Sequence, residues 1–245
     1  MADPARPQRR SRRVRRTDWR LGGRTVIRWR EGLLAIALLS LGAGILAASA
    51  AQQLGAPAVV APLLIWAGMI VPVVIAFARS RPAGLLRWRA VDLLWAFGLG
   101  VLVRLAQGWL DGLDGSPALF PQLSTVDGQI ATGWWFDGLV APVLIAPPVE
   151  ELFFRVVVLV SLYTVLRRAA GGVVAGFAAV LVSTGLFVAA HSLSGTASVV
   201  DVASIALLGA VCGLLVVLTG RVWSAIGVHV VYNALGVGLA LLGTL

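Results

Sequence analysis

The chain has 245 residues, of which 59% are hydrophobic and 13% charged, with a formal net charge of +9 and a mean hydropathy of +0.91. A soluble core cannot bury that much apolar surface, so the composition excludes an ordinary soluble domain and favours a polytopic membrane protein. The single cysteine, Cys212, lies in an apolar run, which excludes a disulfide framework.

Apolar runs near 20 residues long predict about seven transmembrane helices in an all-α, polytopic integral membrane helical bundle. The predicted spans are residues 32–51, 57–78, 91–110, 138–166, 172–191, 200–219 and 222–243. Three regions follow from this pattern. They are an Arg-rich tail (1–30), three N-terminal helices with an outer loop (31–137) and a core of four helices (138–245).

The arginines outside the predicted spans fall on one side of the membrane. Eleven of the 20 lie in residues 1–30, four between the second and third spans, two between the fourth and fifth, and one at Arg221. The connections on the other side carry none. By the positive-inside rule the N-terminus is cytoplasmic and the C-terminus lies outside.

The arginine-rich tail, RPQRRSRRVRR, is expected to fix this topology and to contact anionic lipid headgroups. Charge alone does not indicate nucleic-acid binding, so no nucleic acid is expected as a partner. The all-arginine, alanine-rich composition indicates a bacterial cytoplasmic membrane as the location.

Charged side chains inside the spans are the candidates for function, because an ionised group at the bilayer centre costs about 2.5–3.5 kcal/mol on insertion scales. Asp92 and Arg104 are expected to be structural, since Asp92 lies near the cytoplasmic interface. The stretch APPVEELFFR is different, because it places Glu150, Glu151 and Arg155 together in an apolar run.

Helical geometry separates the two adjacent glutamates. Glu151 and Arg155 are four residues apart on one face, so the arginine can keep that carboxylate ionised. Glu150 points about 100° away and needs a partner from another helix. The preceding Pro147 and Pro148 predict a helix that is kinked there or newly begun, the latter placing both carboxylates near the positive end of its dipole.

Two further helical pairs supply candidate partners for Glu150. Phe187 and His191 are four residues apart in the fifth span, and His229 and Asn233 are four apart in the seventh. Each pair lies on one face of its helix, so a single cavity can receive both. The only two histidines of the chain and two of its three glutamates therefore occupy spans at helical spacing.

These residues resemble the motifs of a known family. Glu150-Glu151-x-x-x-Arg155, Phe187-x-x-x-His191 and His229-x-x-x-Asn233 are similar, in order, to the three motifs of the CPBP family. That family comprises the CAAX-prenyl-protease and bacteriocin-processing (Abi) intramembrane proteases, and every defining position is present. The motifs cover residues 150–233, and the last four spans correspond to the family's conserved core.

The resemblance implies a peptidase and a role for each position. Glu150 would be the general base that activates water, with His191 helping to hold that water. His229 and Asn233 would hydrogen-bond the oxyanion, Glu151 and Arg155 would orient the site, and Phe187 would pack the cavity wall. The expected partner is a peptide or membrane-protein substrate in the bilayer.

Two mechanisms stay open at this point. Burial raises a carboxylate's pKa toward that of a useful base, which suits a metal-free mechanism. Alternatively, Glu150, His191 and His229 can bind zinc or another divalent metal that acidifies the water. The sequence has no H-E-x-x-H helix and no G-x-S-x-G elbow, which disfavours site-2-type and serine proteases.

Two other function classes compete with the peptidase. One is a proteolytically inactive membrane scaffold or peptide-immunity protein of the same fold, which would not need Glu150 or the oxyanion pair. The other is a bis-histidine haem protein or ion-coupled carrier built on His191 and His229. A haem protein would be coloured and would not require Glu150, Glu151 or Asn233.

Overall fold

The computed structural model describes residues 17–21, 26–113, 120–123, 125–126, 128–193 and 198–245. This part of the chain contains six helices long and apolar enough to cross a membrane. They are α1 (Glu31–Gln53), α2 (Val60–Arg79), α3 (Val91–Leu113), α4 (Trp135–Ser192), α5 (Val199–Thr219) and α6 (Trp223–Thr244). The predicted class, an all-α membrane bundle, is confirmed. Residues 1–16 of the predicted tail lie outside the described residues.

Two short elements accompany the helices. A 3₁₀ turn, Trp19–Leu21, precedes α1. Before α4, β1 (Thr125–Val126) pairs antiparallel with β2 (Gln129–Ile130), with Thr125 opposite Ile130. The hairpin is too small to change the fold class.

Helix α4 is long because it contains two of the predicted spans. It breaks at Gly171, whose φ of 76° and ψ of 170° are not helical. Ser183 nevertheless donates a hydrogen bond to the carbonyl of Phe154 over 2.9 Å. A straight helix would separate these residues by about 44 Å. The first arm (residues 135–170) and the second arm (residues 172–192) therefore lie side by side, and they account for predicted spans 138–166 and 172–191.

The first arm of α4 is the central helix of the bundle. Every residue from 153 to 160 is fully buried, including Arg155. Large apolar side chains such as Leu39, Leu94 and Val173 are instead more than 70% exposed on the outer helix faces. Such a surface suits contact with lipid rather than with water.

Small residues bring α1 and α2 together. A Cβ on Gly44 would lie 2.9 Å from the carbonyl oxygen of Leu64, and one on Gly68 would lie 2.6 Å from that of Ser40. The Ser40 hydroxyl also donates to the Gly68 carbonyl over 2.7 Å. Close backbone approach of this kind is the usual way in which membrane helices pack.

The arginine-bearing connections meet at one end of the bundle, called the arginine end below. The indole of Trp19 donates to the carbonyl of Gly220, and the amide of Val222 donates to the carbonyl of Leu85. The indole of Trp29, just before α1, donates to the carbonyl of Ala76 near the end of α2. The opposite end therefore carries the α1–α2 connection, the start of α4 and the end of α6.

Candidate active site

The glutamates lie in a short α-helical stretch of α4. The segments Trp135–Ile145 and Leu152–Leu159 on either side have π-helical hydrogen bonding, and Ala146–Glu151 between them is α-helical. The helix runs through Pro147 and Pro148 without a new start. The predicted helix N-terminus at these prolines, one of the two possibilities, is therefore wrong, and the carboxylates do not lie in a first helical turn.

Glu151 joins two basic groups. Its Oε2 lies 3.2 Å from Nε of Arg155, and its Oε1 is hydrogen-bonded over 3.1 Å to Nδ1 of His229. Glu151 and Arg155 are both fully buried. The expected Glu151–Arg155 pair on one helix face is thus present, and it extends across the bundle to α6.

Glu150 lies between both histidines. Its Oε2 is 3.7 Å from Nε2 of His191 and 3.8 Å from Nε2 of His229. These distances exceed the 2.7–3.2 Å of a direct N–H···O hydrogen bond. Oε2 has no direct hydrogen bond to any described residue, although the side chain is largely buried. His191 on the second arm of α4 and His229 on α6 therefore lie where Glu150 was expected to find partners, outside its own helical segment.

The contacts of the two Nδ1 atoms fix the orientation of both imidazole rings. Nδ1 of His191 is 2.9 Å from the carbonyl oxygen of Phe187, and Nδ1 of His229 faces the Glu151 carboxylate. Both partners only accept hydrogen bonds, so each Nδ1 carries the proton. In the neutral tautomer each Nε2 is then an acceptor facing the Glu150 carboxylate. Three acceptor atoms converge, which is an arrangement suited to a bridging proton donor or a cation.

Phe187 packs against most of the site. Its ring centroid lies 4.3 Å from that of His191 and 5.7 Å from that of His229, and the guanidinium carbon of Arg155 lies 4.4 Å from it. Arg155 also donates through Nη2 to the carbonyl of Gly209 on α5. A Cβ on Gly209 would lie 3.3 Å from that Nη2 and 3.2 Å from the Phe187 ring. The sequence analysis did not single out Gly209.

Asn233 has a structural partner that the sequence analysis missed. Its Nδ2 donates to the carbonyl of Pro142 over 2.7 Å. At this point α4 has i→i+5 bonding, since the amide of Ala146 donates to the carbonyl of Ala141. The next donor in that register would be residue 147, and proline has no N–H. The Asn233 amide supplies the missing donor, and its second N–H makes no hydrogen bond to a described residue.

The two histidines meet despite different positions along their helices. His191 is next to the last residue of α4, whereas His229 is in the second turn of α6. Sγ of Cys212, in the middle of α5, lies 3.6 Å from the carbonyl oxygen of Ala225 in the first turn of α6. Helix α6 therefore begins beside the middle of α5, which brings His229 deep enough to reach Glu150.

The contacts of Asp92 and Arg104 agree with the structural role expected of them. Asp92 forms an ion pair of 2.6 Å with Arg221 and accepts from Ser224. Arg104 donates to the carbonyl of Tyr232 and to Gln107, and its guanidinium carbon lies 3.9 Å from the centre of the Tyr232 ring. It forms no ion pair with an acid among the described residues. Asp201 closes a capping box at the start of α5.

A cavity of about 330 Å³ reaches Glu150. One wall is the stretch of α4 from Phe136 to Glu150, and the other is the start of α2 with Trp66. Among the described residues, no group of three or more His, Cys, Asp or Glu side chains has the geometry to hold a metal ion.

Residues 132–235 match the family model described as "Type II CAAX prenyl endopeptidase Rce1-like", which represents a protease family. The matched segment includes every motif residue from Glu150 to Asn233. No curated protein and no solved structure matches the chain. Together with the apolar helices, the match indicates an integral membrane protein. Over residues 132–235 the chain is thus similar to the CAAX-type endopeptidases, and the resemblance that its three motifs predict is confirmed.

Proposed function

We propose that this protein is an intramembrane endopeptidase that hydrolyses a peptide bond of a membrane-associated protein or peptide. The observation that carries the proposal is the different environment of two adjacent carboxylates. Glu151 is held by Arg155 and His229, whereas Glu150 Oε2 has no direct hydrogen bond and faces two imidazole nitrogens. One carboxylate maintains the site, and the other is available for chemistry.

A water beside Glu150 would give Oε2 the hydrogen-bond donor that the described residues do not provide, with its second O–H directed toward an imidazole nitrogen. The contacts of 3.7 and 3.8 Å are longer than direct hydrogen bonds, so a water beside these atoms can contact Glu150 and an imidazole together. Glu150 would take a proton from this water as it attacks the scissile carbonyl, and would return the proton to the leaving amine. His191, held by the Phe187 carbonyl, would orient the water.

His229 and Asn233 would stabilise the oxyanion. The Glu151 carboxylate holds His229 through Nδ1 and leaves Nε2 facing Glu150. His229 would therefore donate to the oxyanion from Nε2 once that nitrogen has accepted a proton. Asn233 has one N–H engaged by Pro142 and a second for the oxyanion. In other proteases, loss of one such donor costs about 2.7–4 kcal/mol in transition-state stabilisation.

The divalent-metal alternative uses the same atoms. Two imidazole nitrogens and a carboxylate oxygen are a donor set that suits zinc, which would supply an acidified water. Both mechanisms place the reacting water at Glu150, His191 and His229. Metal analysis of the purified protein and peptidase activity after dialysis against a chelator distinguish the two mechanisms. Activity that falls with chelation and returns with one metal would contradict the metal-free mechanism.

The decisive test compares protein N-termini in membranes of cells that express wild type or Glu150→Gln at matched levels. The substitution keeps the size of the side chain and removes the base. Glu31→Gln is the matched control, since Glu31 is the remaining glutamate and is exposed at the start of α1. We expect new termini with wild type and Glu31→Gln only. Identical termini in all three strains, with a cellular phenotype retained by Glu150→Gln, would favour the inactive scaffold or immunity protein.

We also propose that anionic lipid binds at the arginine end, as part of a location in a bacterial cytoplasmic membrane. A cavity of about 350 Å³ there is lined by Arg167, Arg168, Thr164 and the Trp19 ring. Neither Arg167 nor Arg168 has a hydrogen bond or ion pair with a described residue. Basic pockets on the cytoplasmic side of membrane helices are suited to anionic lipid headgroups.

The neighbouring Arg20 already has protein partners for its guanidinium group. It donates to the carbonyls of Val217 and Leu218 at the end of α5 and pairs with Asp18 over 2.8 Å. Burial raises the pKa of Asp18, but hydrogen bonds and charge from Arg20 outweigh this and lower it below its usual value. Asp18 therefore stays ionised and holds Arg20. The nearby charge of Arg167 also contributes to the lowered pKa of Asp18, and Arg167 and Arg168 are the proposed lipid contacts.

A further inference from the structure

We propose that the substrate reaches Glu150 from the end of the bundle opposite the arginines, as an extended polypeptide segment from the extracytoplasmic side. This inference rests on the proposed function and adds to it the class of substrate and its direction of approach. The observations that carry it are the position and the walls of the cavity at Glu150.

The cavity runs along α4 from its first turn down to the catalytic carboxylate. Asp137, Pro142, Ala146 and Glu150 recur at intervals of four or five residues and line one wall. Residues at this spacing share one face of a helix. The opposite wall comes from the start of α2 and is apolar, with Pro62 and Trp66 as its main members.

The two ends of the cavity differ in exposure. Ala58, in the α1–α2 connection, and Asp137, in the first turn of α4, are exposed to the outside of the protein. Glu150, at the inner end, is only 8% exposed. The opening therefore lies at the end of the bundle that carries the α1–α2 connection, away from Arg79 and Arg167.

His191 gives an independent indication of the same direction. It stands one residue before the end of α4, at the end of the bundle where the second arm finishes. Its side chain is 33% exposed, whereas that of His229 is 4% exposed. Access to the site is thus greater from the end where Asp137 lies than from the arginine end.

The conformation of the substrate follows from the chemistry of the site. In a helix the backbone carbonyls are hydrogen-bonded and surrounded by side chains, so a scissile carbonyl becomes accessible to Glu150 only where the segment is extended.

The side chains that line the cavity determine the polarity of the substrate segment that fits it. Apart from Glu150, the only charged side chain among the described residues that line the cavity is Asp137 at the mouth. The segment is therefore apolar or uncharged near the scissile bond, and it tolerates a basic group at the mouth. By the positive-inside rule the mouth is extracytoplasmic. The substrate class is an unfolded extracytoplasmic or juxtamembrane stretch of a membrane protein.

Cysteine labelling tests the direction of approach without requiring proteolysis. The natural Cys212 is fully buried, so wild type is the blank. Ala58→Cys reports on the mouth, and Ala146→Cys reports on the cavity one turn before Glu150. Ala83→Cys, exposed between α2 and α3, is the matched control at the arginine end. A membrane-impermeant maleimide is applied to right-side-out and to inverted membrane vesicles.

We expect Ala58→Cys and Ala146→Cys to react at least tenfold faster in right-side-out than in inverted vesicles, and Ala83→Cys to show the reverse. Reaction of Ala146→Cys from the same side as Ala83→Cys, from both sides equally, or from neither side would overturn the inference.

The protein N-termini found in the comparison of wild type with Glu150→Gln provide a second test of the direction of approach. New termini that map only to cytoplasmic segments would contradict the direction of approach and leave the proposed peptidase intact. Labelling of Ala146→Cys from the extracytoplasmic side, without any Glu150-dependent termini, would instead contradict the proposed peptidase activity. The water-accessible cavity would still be supported.

Discussion

Glu151 and His229, 78 positions apart in the chain, share a buried hydrogen bond of 3.1 Å that fixes which imidazole nitrogen faces Glu150. The same carboxylate lies 3.2 Å from the Arg155 guanidinium. Glu151 therefore links the central helix to α6 and neutralises Arg155, which is fully buried. Adjacent glutamates thus have separate tasks, which stability and activity measurements can distinguish.

Glu151→Gln should destabilise the protein, because it leaves Arg155 as a buried charge without an acid. Removal of one partner of a buried ion pair typically costs about 3–5 kcal/mol. Glu150→Gln should have little effect on stability, since Glu150 Oε2 makes no direct hydrogen bond to a described residue. Thermal unfolding of both variants in detergent measures the difference.

A double-mutant cycle tests whether loss of the Glu151–Arg155 ion pair causes this destabilisation. Glu151→Gln combined with Arg155→Gln removes both charges, so its cost should be smaller than the sum of the single costs. Strictly additive costs, or equal destabilisation by Glu150→Gln and Glu151→Gln, would contradict the separate tasks of the two carboxylates.

Gly209→Val should lower both stability and peptidase activity, because its side chain would press on Arg155 and Phe187. A Cβ at this position already lies 3.1–3.3 Å from three side-chain atoms. Overpacking of this kind typically costs about 1–3 kcal/mol. Gly185→Val is the control, since a Cβ there meets nothing within 4 Å and the position is also helical. Unfolding midpoints that shift equally in the two variants would show that helix propensity alone is responsible.

Anionic lipid should stabilise the protein through Arg167 and Arg168. We expect phosphatidylglycerol in phosphatidylcholine nanodiscs to raise the unfolding midpoint of wild type, and Arg167→Gln/Arg168→Gln to lose most of that increase. Arg79→Gln/Arg81→Gln is the matched control, because both residues are exposed at the same end and outside the cavity.

The lipid prediction has two informative alternatives. An equal loss in the control double variant would indicate general attraction between arginines and the anionic surface rather than a site. Stabilisation by inorganic phosphate as strong as that by the lipid would indicate a phosphate site without lipid selectivity.

The sequence predicts the helices and the meeting of Glu150 with both histidines, because apolar run length and i,i+4 spacing are local properties. It does not predict the Asp92–Arg221 pair or the Arg155–Gly209 contact, which depend on how separate helices cross. The cavity mouth is likewise unpredictable, since it results from α2 standing opposite the first turns of α4. The partner of Asn233 has a sequence signal, Pro142 and Pro147 five residues apart, but only in a π-helical register that sequence does not reveal.

That register gives a way to separate the two tasks of Asn233. Asn233→Ala should leave the Pro142 carbonyl without its hydrogen bond and cost about 1–3 kcal/mol of stability. It should also lower peptidase activity by loss of an oxyanion donor. Pro147→Ala restores a backbone N–H at the position that the i→i+5 pattern would use.

The double variant Asn233→Ala/Pro147→Ala should therefore regain most of the lost stability, because the new N–H can bond the Pro142 carbonyl. Its activity should stay as low as that of Asn233→Ala, since no donor for the oxyanion returns. Unfolding midpoints and peptidase rates are measured on the same four preparations, with Pro147→Ala alone as the reference. Recovery of both quantities together would mean that Asn233 acts on catalysis only through the shape of α4, and its oxyanion role would then be wrong.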